Sequence, residues 1–292
     1  MYILDTYEFP DKNGNVLSRE YEYKYYGNYG AKGEKRLPKK KITPEQIAKQ
    51  NQSNRIKRVR RKIKCNFYEG DYWVTLTYPK GITKPINEVA GDLKRFTDKL
   101  RRVYKAKGEP LKWIRRIEIG SRGGVHIHLI LNRIEGLDIL LSKQWTHGHV
   151  NIATLDGGTY EDLASYLVKE PTEQQLKLIH ATGIDESKLI RYSCSRNLIE
   201  PIPEREKKSH ATMRMIFNDE LKPKSGFYID KNSIVKGINY ITGMGYLQYQ
   251  EVRCESGQKY EPVTIYECPH CHQWTVMSLT CNCRRRKRHG HH

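Results

Sequence analysis

The alternation of apolar and polar positions marks out most of the elements in this chain. Residues 72–78 (Tyr-Trp-Val-Thr-Leu-Thr-Tyr) repeat with period two, which sets Val74 and Leu76 on one face of a strand and Thr75 and Thr77 on the other. Pro79 and Gly81 end it. Over 86–104 the period lengthens: Val89, Leu93, Phe96, Leu100 and Val103 recur at spacings of four and three, the pattern of an amphipathic helix laid against a sheet. Residues 112–119 and 125–131 read as two strands joined by a Gly-rich turn. Residues 137–144 form a second amphipathic segment and 149–154 a short strand. A helix follows over 160–170, with Thr159 as its cap and Pro171 as its stop.

The flanks are less regular. Residues 1–42 are rich in Tyr, Gly and Lys without a sustained period, so an irregular segment is expected there, with a short hairpin at Gly14. A helix then starts at a capping box: Thr43 caps, Pro44 takes the first helical position and Gln46 stands as the reciprocal partner. It should run to about Lys64 along a narrow stripe of Ile47, Ile56, Val59 and Ile63. Residues 173–181 suggest another helix and 191–198 a polar strand or loop. The prolines at 201 and 203 and the charges of 204–208 read as a linker, and 226–251 supplies short alternating strands. The expected division is therefore 1–42 irregular, 43–200 main domain, 201–262 a small β-rich extension and 263–292 a cysteine-containing tail.

Charge narrows the partners. The chain has 292 residues with 52 Lys+Arg against 33 Asp+Glu, a formal net charge of +19. Such an excess points first to nucleic acid and second to an anionic membrane surface. No apolar run approaches the roughly 18–20 residues needed to span a bilayer, and residues 1–10 carry no basic segment leading into an apolar core. No membrane partner is expected. The basic helix carries Arg58, Arg60 and Arg61 as candidate phosphate contacts, joined by Arg122 at the hairpin tip and by Arg191 and Arg196. A solvated charged face is the plainer alternative for each.

Two groups of residues carry candidate chemistry. On a strand over 125–131, His126 and His128 share one face, while Val125, Ile127 and Leu129 point the other way. If the hairpin is symmetric about Arg122, Glu118 sits opposite His126, within about 4.5–5.5 Å Cβ to Cβ. Two imidazoles and a carboxylate then make a half-open site for a divalent metal. The bland alternative is two histidines bonded to sheet neighbours. In the tail, Cys268, Cys271, Cys281 and Cys283 offer four thiolates for a structural zinc, with His270 or His272 as substitutes, since the second pair is Cys-x-Cys. Seven cysteines, an odd number clustered late in the chain, suit a reducing compartment better than a disulfide framework. Tyr166 and Lys169, at i and i+3 of the helix over 160–170, lie on neighbouring positions of one face. In a chain with 20 tyrosines that spacing says little by itself.

Taken in order, the strand Val74-Thr75-Leu76-Thr77-Tyr78, the glycine turn into His126-Ile127-His128, and Tyr166-x-x-Lys169 resemble the three motifs of the HUH endonucleases. The likeness is to the single-tyrosine rolling-circle replication initiators of phages, plasmids and integrative elements, and it covers about residues 40–200. It implies an α+β, ferredoxin-like core: an antiparallel sheet of about five strands with helices on one face. It further implies Tyr166 as nucleophile, His126 and His128 as ligands of Mg or Mn, Glu118 as third ligand, and Lys169 steadying the tyrosine or the phosphate. The reaction implied is nicking and joining of single-stranded DNA at an origin hairpin, through a 5′-phosphotyrosine and a free 3′-hydroxyl. Host helicase and polymerase are the further implied partners, in the cytoplasm of a bacterial cell. Two alternatives stay open: a non-catalytic, sequence-specific DNA-binding regulator, and a relaxase or transposase with the same chemistry.

Overall fold

The structure is a computed structural model, and it describes residues 2–25, 43–82, 84–120, 124–170, 173, 192–209, 221–238 and 245–254, with the backbone of 265–267 and 274–276. In chain order the elements are β1 (Tyr2–Pro10), β2 (Val16–Tyr25), α1 (Pro44–Asn66), β3 (Tyr72–Thr77), α2 (Ile86–Ala106), β4 (Trp113–Ile119), β5 (Val125–Leu131), α3 (Leu137–Gln144), β6 (Val150–Thr154), α4 (Glu161–Val168) and β7 (Ser193–Cys194). There follow β8 (Glu204–Lys208), β9 (Phe227–Ile238), β10 (Gly245–Arg253), β11 (Ile265–Glu267) and β12 (Trp274–Val276). The class is α+β. Contacts divide the chain into Ile47–Glu200 and a second unit formed by Met1–Gln46 with Pro201–His292. No helix among the described residues is long and apolar enough to cross a membrane.

The unit Ile47–Glu200 is built on an antiparallel five-stranded sheet in the order β6-β3-β5-β4-β7. On one face, Val74, Leu76, Ile127, Leu129 and Leu131 pack against Val89, Leu93, Phe96, Leu100 and Tyr104 of α2 and Leu137 and Leu141 of α3. Each fully buried apolar side chain contributes on the order of 2 kcal/mol. The opposite face is covered too: Ile114 and Ile130 pack against Val59 and Ile63 of α1 and Ala164 and Leu167 of α4. Helices on one face only was the expectation, and it is corrected here. The physical reason lies in β5, where Leu129, Ile130 and Leu131 are all buried. Consecutive apolar residues on a strand require cover on both sides.

The α1 capping box forms as the sequence suggests, Thr43 N–H donating to Gln46 Oε1 at 3.0 Å and Gln46 N–H to Thr43 Oγ1 at 3.3 Å. At α4 the expectation fails. The helix begins at Glu161 and no side chain caps it; the residue before it, Tyr160, takes a left-handed φ of 57°. A non-glycine residue holds that conformation only under tertiary constraint, and here the Tyr160 ring is buried in the α1/α4 core.

The other unit overturns two further expectations. Residues 2–25 are a long hairpin rather than irregular, and 204–208 is a strand rather than a linker. They belong to one seven-stranded sheet, β11-β12-β9-β10-β2-β1-β8, so the 201–262 extension and the N-terminal segment are parts of a single sheet. Tyr21, Tyr23 and Tyr25 alternate on β2 opposite Thr6, Leu4 and Tyr2, and Tyr21 stacks on Tyr249 at 4.8 Å. The pairing partners are far away in sequence. Arg205, for instance, holds the fully buried Asp5 with two bonds of 2.6 and 3.0 Å.

Buried Asp92 on α2 fastens the loop after β3. It accepts from Lys84 at 2.5 Å, Arg95 at 2.5 Å and Tyr78 at 2.9 Å, and His147 lies 3.4 Å away. Burial by itself raises a carboxyl's pKa, but these bonds and the nearby His147 outweigh it and hold Asp92 below the ordinary carboxylate value. The folded chain therefore binds this proton less readily than the unfolded chain. Its stabilisation is complete above the unfolded value of about 3.9 and drains as pH falls through the lower folded value. Asp92→Asn should lower the stability of the unit at pH 7 by roughly 1–3 kcal/mol and flatten its loss below about pH 4. Urea titrations at several pH values check this; an equally steep acid limb in the variant counts against it.

Candidate active site

The glycine-bounded hairpin places Glu118 directly opposite His126 and Arg116 opposite His128, the register that symmetry about Arg122 requires. On the other side of β5, Thr75 pairs with His128 and Thr77 with His126. All six therefore rise from the face that α1 and α4 cover. Along β4 and β5 that cover thins: Ile114 and Ile130 are fully buried, Arg116 is 4% and His128 8% exposed, and His126 and Glu118 are half-buried. The chemistry sits at the rim of the helical layer.

Tyr166, in the last turn of α4, reaches down to this rim. Its hydroxyl donates to Glu118 Oε2 and lies 2.8 Å from His128 Nε2. The same two atoms of Glu118 and His128 are 3.4 Å apart. Because the phenol's hydrogen goes to the carboxylate, the consistent arrangement has His128 Nε2–H donating to the phenol oxygen. Nδ1 then accepts from the Thr75 hydroxyl at 3.1 Å. Trp73 stacks on the His128 ring at 5.4 Å and meets Tyr166 edge-on at 6.0 Å. Burial pulls the His128 pKa down despite Glu118 beside it, so the ring is neutral near pH 7. Burial and the bond to Glu118 push the Tyr166 phenol well above its ordinary value, with Arg116 opposing. At rest the phenol is protonated.

The donor types fit a divalent cation, two imidazoles and one carboxylate on one sheet face. They are not yet gathered. The His126 and His128 rings are parallel but 6.4 Å apart, and among the described residues no group of three His, Cys, Asp or Glu is close enough to hold a metal ion. His126 turns its Nε2 toward Gly120 and Gly124 instead. The position between Glu118 and His128 is taken by the Tyr166 oxygen, so those two atoms serve either the phenol or a cation.

The remaining expected residues are scattered. Lys169 is exposed, follows α4 directly, and lines an open groove of about 560 Å³ with Tyr166, Ser165, Lys49 and Gln52. Among the arginines of α1, Arg58 is exposed. Arg60 is bonded to Glu161 of α4 at 2.7 Å, and Arg61 is 7% exposed. The C-terminal half of α1 is thus a packing helix, and Arg61 does not face solvent as the basic-face reading expects. Arg196 is exposed. Arg122, Arg191 and the cysteines at 268, 271, 281 and 283 lie outside the described residues. Three site residues escape the sequence reading: Thr75, Trp73 and Arg116. Their signal is only strand parity, shared with Glu118 and the histidines.

Residues 71–175, from the start of β3 to just past α4, match a family model of replication-associated proteins, the ORF2 type. This stretch of the chain, with the sheet and the Tyr166 helix, is similar to replication-associated proteins. No curated protein and no solved structure matches.

Proposed function

We propose that this chain is a replication initiator of the HUH type that nicks and rejoins single-stranded DNA, with Tyr166 as its nucleophile. The carrying observation is the phenol of Tyr166 bonded to both Glu118 and His128 within a segment similar to replication-associated proteins. Glu118, His126 and His128 are the residues that would hold Mg or Mn, which when bound would neutralise charge on the scissile phosphate. Before that, Glu118 and His128 keep the phenol protonated and parked. Thr75 and Trp73 hold the His128 ring so that its Nε2 faces the junction.

In the reaction the Tyr166 oxygen attacks phosphorus and gives up its proton. The bond from phosphorus to the 3′-oxygen breaks, and that oxygen takes up a proton. One phosphodiester is exchanged for another, so the step runs backwards without a nucleotide energy source. Lys169, across the groove rim from the phenol, is the cation for the phosphate. One nucleophile per chain follows, because Tyr160 is only 9% exposed and is pushed up to about 12 by burial and by Asp156 and Asp71. The substrate we assign is an exposed strand at an origin hairpin, handed on to host helicase and polymerase. The four tail cysteines would hold zinc.

The test is a denaturing gel of the full chain incubated with a pool of end-labelled single-stranded oligonucleotides. With Mn or Mg, a shifted band resistant to heat and denaturant is expected, carrying the 5′-side phosphate of the cut, and EDTA should abolish it. Retarded oligonucleotide on a native gel with no covalent band under any metal would mean a regulator that only binds.

A further inference from the structure

Arg116 sits on β4 two residues before Glu118, facing His128 across the strand pair. Its side chain rises beside the candidate site, yet it is 4% exposed and the proposed chemistry gives it no task. Its Nη1 donates to the main-chain carbonyls of Tyr166 at 3.1 Å and Leu167 at 2.8 Å. Its Nε is buried with no hydrogen-bond partner among the described residues. The last four carbonyls of a helix lack partners within the helix and carry partial negative charge. At α4 they are taken by side chains from two other elements, since Gln52 of α1 also donates to the Val168 carbonyl at 3.1 Å. The final turn of this short helix is tied to the sheet by a buried cation, and that turn carries the nucleophile.

We infer that Arg116 is the positioning residue for Tyr166: by holding the Tyr166 and Leu167 carbonyls against the sheet beside His128, it fixes where the phenol can reach. The inference rests on the proposed nicking reaction. Arg116 itself touches neither the phenol oxygen nor, in this account, the DNA. Its effect is geometric, and a displacement of about 1 Å at a reacting atom can cost on the order of 100-fold in rate. A lysine keeps the charge but cannot reproduce the guanidinium's planar reach to two acceptors.

The experiment compares wild type, R116K and R116M as full chains in two measurements. One is the single-turnover rate of adduct formation with a cleavable labelled oligonucleotide over a range of concentrations. The other is amide hydrogen exchange in α4 and β5. R116M is expected to lose about 100-fold in rate at saturating DNA with the half-saturating concentration unchanged, and R116K to recover part of it. Exchange should quicken over 161–169 and stay slow in β5. A wild-type rate in R116M overturns the inference, as does exchange that quickens equally in β5, the mark of general destabilisation. If R116M does not fold, R116K decides: a wild-type rate with unchanged α4 exchange overturns it. A wild type that forms no adduct at all is a different failure, since it removes the nicking reading and this inference with it, whereas an active wild type beside an equally active R116M sinks this inference alone.

Discussion

Tyr166→Phe is expected to abolish covalent attachment to DNA, with any residual adduct down by about 10⁴-fold or more, the scale seen when a nucleophile is removed. Oligonucleotide affinity should stay within a few-fold, because the ring, its edge-on contact with Trp73 and the carbonyl bonds to Arg116 are all retained. Stability should change by no more than about 1 kcal/mol, since the Glu118 carboxylate that loses the hydroxyl is partly exposed and can turn to water. The variant should also bind Mn at least as tightly as wild type, because the phenol no longer occupies the Glu118 and His128 atoms that a cation needs. Calorimetric Mn titration and the denaturing gel read these outcomes separately. An adduct of normal yield in this variant would move the nucleophile to another tyrosine. Weaker Mn binding would contradict the competition at Glu118 and His128.

Gly148→Ala should be the most damaging single-methyl addition in the core unit. A Cβ at this position would stand 2.0 Å from the Thr77 carbonyl oxygen and 3.0 Å from Tyr78 Cα, both main-chain atoms that cannot swing aside. To make room the loop must leave β3. That strains the bond from Thr77 N–H to the His149 carbonyl at 3.0 Å and the bond from the Trp145 indole to the Thr77 carbonyl at 3.1 Å. A cost of about 4 kcal/mol is expected, near the top of the range for point substitutions, or a fall in Tm of roughly 10 °C for a unit of this size. Thr77 pairs with His126, so manganese-dependent activity should fall with the register at the end of β3. A thermal melt within about 2 °C of wild type would show that the loop accommodates the methyl and that the close approach is unimportant.

The β4–β5 hairpin is the clearest case of what the residue pattern alone makes legible. Its glycines, the β-branched and apolar run 125–131 and strict strand parity already place Glu118 across from His126 and put His128 on the same face, and the register agrees residue by residue. The elements of the 44–168 stretch are equally visible, because their periods are local and strong. α2 is an example: its buried residues are the ones at spacings of three and four. The N-terminal hairpin is not visible in this way. Its strands are amphipathic through tyrosine, glutamate and threonine rather than aliphatic residues, and their partners come from β8 and β10, which lie some 200 residues further on.

The sequence by itself determined the candidate ligands, the nucleophile's helix and the basic balance of the chain, because each depends on local spacing or on composition. Tertiary structure alone decided three things. The phenol rests on Glu118 and His128, keeping the candidate ligands from converging as built. The arginines of α1 divide into one exposed, one paired with Glu161 and one buried, since the helix packs along its narrow stripe and draws its flanking residues into contact. And Arg116 meets the end of α4, a contact between residues fifty positions apart that follows only from where the helix lands on the sheet. Distances such as these are set by packing between elements, which no local pattern encodes.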